Sequence, residues 1–185
     1  LDGCWRRNLH HKAKSRIVAK SSIFSLRVED LVRRYPDCRI VYMVRDPLES
    51  IPSGMSLLTG VLERSYDVFH STSAEARARY LENLYQASCR MYGAFHDSWR
   101  AGAIPEKNLR IVPYPRIVHD LGPTMESLLS FLEIDPAPGF AEKLREQDVA
   151  QRTRVSPHAY SLDEFRLSEE RIRSDLGFVY ESYGL

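Results

Sequence analysis

Arg45-Asp46-Pro47 follows a run of β-branched and aromatic residues, and Ser53 stands eight positions after Arg45. A guanidinium offers a fork of donors matched to phosphate oxygens, and a hydroxyl adds one more. At the carboxyl end of a buried strand, where ligands gather in open α/β sheets, the two can converge on one phosphate. Lys20 closes another short apolar run, Arg16 to Ala19, and carries a compact ammonium suited to spread negative charge. The chemistry these residues favour is local anion binding. A plainer account stands beside it: Arg-Asp-Pro is also a turn in which Asp caps a helix and Arg pairs at the surface. Lys20 is then a strand-end lysine reaching solvent.

The histidines carry no comparable pattern. His10 and His11 precede the first apolar run, His70 lies in a polar loop, His96 falls in a long helix and His119 follows a third strand, so no general base is assigned. Cys4, Cys38 and Cys89 are widely spaced, without a Cys-x-x-Cys pair or a clustered histidine. Neither a disulfide framework nor a zinc site is expected, no metal is expected, and a reducing compartment such as the cytoplasm is the simpler reading.

The elements that must position these groups alternate. Trp5 to Lys14 suits a short basic helix and Arg16 to Ala19 a brief buried strand, and Leu26, Leu31, Val32 and Tyr35 follow helical spacing up to Pro36-Asp37. Arg39 to Val44 is nearly continuous in apolarity, as expected of a parallel strand covered on both faces. Pro47 suits the first turn of a helix with Ile51, Met55, Leu58 and Leu62 inward. Ala74 to Trp99 reads as the longest helix, with Tyr80, Leu84, Ala87, Met91 and Phe95 on one face. Its aromatic series, Tyr80, Tyr85, Tyr92, Phe95 and Trp99, is core or else lines an acceptor pocket. Leu109 to Pro113 gives a strand, Thr124 to Leu132 and Phe140 to Val149 give helices, and Ser168 caps a last helix carrying Ile172, Leu176, Val179 and Tyr180 inward. Strand and helix alternation implies an α/β fold.

With these residues in place, a resemblance becomes specific. Lys20-Ser21-Ser22-Ile23-Phe24, Tyr35-Pro36-Asp37-Cys38-Arg39-Ile40-Val41, Val44-Arg45-Asp46-Pro47 and Ile51-Pro52-Ser53 resemble, in order and spacing, the bacterial-type sulfotransferases. The resemblance implies a P-loop-like three-layer α/β/α fold around a central parallel sheet. It implies 3′-phosphoadenosine 5′-phosphosulfate as co-substrate, with its 3′-phosphate on Arg45 and Ser53. From its place at a strand end beside the ligand crevice, the Lys20 ammonium is expected to hold the bridging or sulfuryl oxygens as a catalytic residue. Ile111-Val112-Pro113-Tyr114 is similar to the family's strand and tyrosine loop, although Pro115-Arg116 stands where acidic residues usually follow. The tail from Ser156 to Phe165 resembles the segment that closes over the nucleotide, which brings in Arg154 and His158 as donor-binding candidates. Arg166 stands there where glycine is commoner. The likeness runs from about Lys20 to the C-terminus.

The resemblance has a gap: no glycine- and Ser/Thr-rich loop after an apolar strand precedes Lys20, although the family holds the 5′-phosphosulfate there with backbone amides. Together with Leu1 in place of Met, this predicts the C-terminal portion of a longer protein, with an N-terminal strand and loop missing. At 185 residues and 43% apolar content, residues 1–185 suit one partial domain. No window approaches the roughly 18 uninterrupted apolar residues of a membrane span, so a soluble location with no membrane partner is expected. With 26 basic against 25 acidic residues the overall field is weak, and the Arg77, Arg79 and Arg90 series is interspersed with Glu75 and Glu82, as on a solvated helix face. No nucleic-acid partner is expected. The leading reading is transfer of sulfate to a hydroxyl or amine of a small molecule or saccharide. The alternatives are another P-loop-type phosphotransferase, or a noncatalytic remnant that binds nucleotide or serves as an interaction domain.

Overall fold

The computed structural model describes residues 2–13, 15–153 and 160–185. In chain order the elements are α1 (Asp2–Lys12), a 3-10 helix over Ser22–Arg27, α2 (Val28–Arg34), β1 (Ile40–Val44), α3 (Pro47–Tyr66), α4 (Val68–Ser71) and α5 (Ala74–Arg100). These are followed by β2 (Leu109–Pro113), α6 (Tyr114–His119), α7 (Leu121–Leu132), α8 (Phe140–Thr153), a 3-10 turn over Asp163–Phe165 and α9 (Glu169–Tyr183). The fold is a mostly helical α/β arrangement around a small parallel sheet, β1 beside β2, with Tyr42 in register with Ile111 and Val41 with Arg110.

Strand alternation sends Tyr42 and Arg39 to opposite faces of the sheet. Tyr42 stacks on Phe95 of α5 with ring centroids 3.5 Å apart. On the other face Arg39 and Arg110 lie over the Phe131 ring of α7, and Arg39 Nε donates to the Phe131 carbonyl at 3.2 Å. Helices therefore cover both faces, which is the three-layer arrangement expected of a P-loop-like scaffold. Asn108 ties the entries of the two strands together: fully buried, it donates from Nδ2 to the carbonyls of Pro36 and Cys38 at 2.8 and 2.6 Å.

The core lies between α3, α5 and α9, where Ile51, Met55, Tyr85, Ile172, Leu176 and Val179 are buried together with Val44 of β1. Tyr85 and Phe95 are core, and Tyr80, Tyr92 and Trp99 pack against the same clusters, so the aromatic series of α5 builds the interior rather than a pocket. Ser168 caps α9 by accepting from the Arg171 amide at 3.2 Å, and Glu169 and Glu170 occupy its electropositive first turn. Because α9 supplies four core side chains, Ser168→Ala is expected to lower unfolding stability by about 1 kcal/mol, read from the urea midpoint. An unchanged midpoint would count against the cap.

Three expectations need correction. Arg16 to Ala19 forms no strand: the segment has no regular structure, and Val18 is 90% exposed. Its anchor is Arg16, whose guanidinium donates to the carbonyls of Leu132 and Glu133 at 3.1 and 2.6 Å, so the segment is fastened to the end of α7 instead of an edge of the sheet. β1 is not covered evenly on both faces, since Met43 is 52% exposed. Leu58 is 48% exposed on α3, whose buried stripe is Pro47, Ile51, Pro52 and Met55. Among the described residues no helix is long and apolar enough to cross a membrane.

Candidate functional site

The carboxyl end of β1 passes directly into α3. Asp46 is the N-cap, its Oδ1 accepting from the Leu48 amide at 2.8 Å, and Pro47 at the first helical position needs no amide partner. The same Asp46 oxygen accepts from the Tyr180 hydroxyl of α9 at 2.6 Å. From the far side Tyr92 of α5 donates to the Arg45 carbonyl at 3.1 Å and shares a 2.6 Å hydrogen bond with Ser50. Two long helices thus fix the strand-to-helix turn at both of its polar ends.

Glu49 and Ser53 stand four residues apart on one face of α3, and Arg45 lies just before its N-cap, within reach of Glu49. Arg45 Nε donates to Glu49 at 2.9 Å, and its guanidinium lies 5.0 Å from the centre of the Tyr114 ring just beyond β2. Its side chain is 40% exposed. Ser53 Oγ, half-buried one turn beyond Glu49, donates to the Tyr160 hydroxyl at 3.3 Å. Burial pushes the Tyr92 phenol up, and burial followed by the Asp46 carboxylate pushes Tyr180 up, so both stay neutral hydrogen-bonding groups at neutral pH.

A guanidinium thus stands at the end of a parallel strand and a hydroxyl in the helix that follows, and residues 4–138 match the model of the sulfotransferase family. The chain belongs to the sulfotransferase family. No curated protein and no solved structure matches it. The family match takes in the segment before Lys20, and it ends ahead of α8, the tail and α9.

Within this sulfotransferase the predicted residues are unevenly placed. Arg45 stands at the turn from β1 into α3 and Ser53 within α3, each bonded to a different partner, Glu49 and Tyr160. Lys20 ends the irregular, largely exposed segment and is not the strand-end lysine expected from the sequence. Arg154 and His158 lie outside the described residues. Tyr160, from the same tail, is brought onto Ser53, a link that sequence spacing does not reveal. Both parts of the plainer account are also present: Asp46 caps α3, and Arg45 pairs with an exposed carboxylate. The Glu49 pairing was legible as a four-residue step; Tyr92 and Tyr180 reach the turn from distant parts of the chain and carried no local signal.

A second polar cluster joins α3 to α4. Glu63, Asp67 and His70 bring three potential ligand atoms within 4.8 Å of one another. His70 Nδ1 contacts Glu63 and lies 3.1 Å from Asp67, while Glu63 accepts from the Phe69 amide at 2.8 Å. That backbone hydrogen bond, followed by His70, holds the Glu63 carboxyl below its usual range. The contacts account for the cluster as a polar latch that folds α4 back on the end of α3.

Proposed function

We propose that this chain holds the 3′-phosphate of 3′-phosphoadenosine 5′-phosphosulfate through Arg45 and Ser53. On this reading it serves transfer of the donor's sulfuryl group to a hydroxyl or amine of a small-molecule or saccharide acceptor. The observation that carries this reading is the placement of Arg45 at the carboxyl end of β1 with Ser53 in the helix that follows. The residues fit a phosphate there. Only Nε of the Arg45 fork is engaged among the described residues, which leaves the Nη donors for phosphate oxygens. The competing Glu49 carboxylate is 58% exposed, so it has a path back to water when an anion arrives.

When bound, the donor supplies an activated sulfuryl group: an S–O bond to the leaving phosphate breaks as one to the acceptor forms, in line. The protein's part is positioning. By gripping a phosphate remote from the reacting sulfur, Arg45 and Ser53 convert binding into orientation, which raises rate without touching the chemistry itself. Lys20 is assigned the transferring oxygens, with its ammonium over charge that develops in the transition state. Lys20→Ala should then lower turnover by about 100-fold, with circular dichroism unchanged. An equally active variant removes Lys20 from the mechanism. The three free cysteines support a reducing, cytoplasmic setting.

The direct test is calorimetric titration with adenosine 3′,5′-bisphosphate against adenosine 5′-monophosphate. The reading requires the 3′-phosphate to be the group that is recognised, so equal affinities for the two nucleotides would sink it. Binding of the bisphosphate with no transfer to any acceptor would favour the noncatalytic nucleotide-binding alternative.

A further inference from the structure

A cationic cleft of about 460 Å³ opens between α5 and the start of α9, away from Arg45. Arg79, Glu82, Arg166 and Arg171 line it, together with the buried Leu81 and Phe165. Leu81 and Glu82 precede Tyr92, the α5 residue that touches Arg45, by about 15 Å at roughly 1.5 Å per residue of helix. The cleft is therefore separate from the turn at the end of β1.

Its charge is unbalanced. Arg171 grips Glu82 with two hydrogen bonds at 2.6 and 3.0 Å and lies 4.5 Å from the centre of the Tyr85 ring. That fork uses the carboxylate of the cleft, and among the described residues neither the Arg79 nor the Arg166 side chain has a carboxylate partner. Arg166 follows the 3-10 turn in the left-handed conformation, at φ 59°, where glycine sits without steric cost. A side chain is kept at a position whose backbone favours none, and that side chain lines the cleft. Backbone outliers of this sort concentrate where function holds them.

We propose that this cleft binds a sulfate or phosphate monoester, with its anionic head between Arg79 and Arg166 and its organic body against Leu81 and Phe165. A single fork satisfies a carboxylate, as Arg171 does for Glu82, whereas two further guanidiniums suit a head with three terminal oxygens. The site is independent of the donor reading for Arg45.

The test titrates the full chain with phenyl sulfate, phenyl phosphate and neutral benzyl alcohol. Arg166→Gly and Arg79→Ala serve as variants; the first relaxes the backbone and the second lies at an exposed helical position, so neither should impair folding. Either or both esters should bind, benzyl alcohol should not, and each variant should weaken ester binding by about tenfold or more. Whichever ester binds more tightly identifies the head group. In Arg166→Gly the affinity for adenosine 3′,5′-bisphosphate should be unchanged. Equal binding of benzyl alcohol, full ester affinity in both variants, no ester binding at all, or loss of ester binding in Arg45→Ala would each overturn the proposal. Weakened bisphosphate binding in Arg166→Gly would also overturn it, by placing the cleft within the donor site.

Discussion

Replacing Arg45 with alanine is expected to weaken adenosine 3′,5′-bisphosphate binding by at least about 100-fold, near 3 kcal/mol, without loss of fold. The effect is large because the guanidinium is the charged partner in the site, and charge-assisted hydrogen bonds to phosphate are about twice as strong as neutral ones. The fold should survive because Arg45 makes its one hydrogen bond within the site to exposed Glu49, and exposed ion pairs contribute little to stability. Asp46, Tyr92 and Ser50 would continue to hold the turn through contacts that do not involve the Arg45 side chain. A paired variant sharpens the test: Glu49→Gln removes the competing carboxylate and should raise affinity. If Arg45→Ala binds the bisphosphate like the parent, or if Glu49→Gln weakens binding, the Arg45 pairing is only a surface ion pair. Calorimetry on the three proteins at one fixed salt concentration decides it.

The largest stability effect is expected at Phe95. Its ring is 1% exposed, stacks face to face on Tyr42 and packs beside Val28 and Ile104, so it connects β1 to α5 and α2. Phe95→Ala should cost about 3–5 kcal/mol through lost burial and the cavity left behind, lowering the melting temperature by roughly 10 °C. Tyr42 would lose its stacking partner, so the near-ultraviolet circular dichroism should change along with the melting temperature. A loss below about 1 kcal/mol would mean that the sheet is held to the helical layer elsewhere.

The parts of this molecule that were legible in its sequence are those fixed by neighbours in the chain. Pro47 and Ser168 mark helix starts because capping is local, and the long α5 is visible because its apolar residues recur at helical spacing. Glu49 and Ser53 stand on one face of α3 for the same reason: four-residue steps on a helix settle which side chains are neighbours. The misreadings are long-range. Whether Arg16 to Ala19 becomes a strand depends on an adjacent ladder, and the residue that decides its path, Arg16, bonds to carbonyls at the end of α7, which the segment itself does not reveal. Leu58 has the right spacing for the buried face of α3 but is 48% exposed, and Met43 of β1 is 52% exposed although its neighbours in the strand read as core. Tyr92, Tyr180 and Tyr160 reach the site through pairings across the fold, and no spacing rule predicts which tyrosine arrives where.

The pairing of β1 with β2 has a consequence for the order in which the chain folds. A parallel pair needs a crossover, and here the whole of α3, α4 and α5 intervenes between the two strands. Closing so long a loop loses chain entropy before any ladder hydrogen bond is gained, whereas α3 and α5 pack through residues much nearer in sequence. On chain length alone α3 and α5 are expected to pack before β1 meets β2, with the Phe95 ring already in place for Tyr42. The Tyr114 ring follows β2 directly, so its contact with Arg45 depends on that long-range pairing, and the Tyr180 link from α9 to Asp46 closes a longer stretch of chain still.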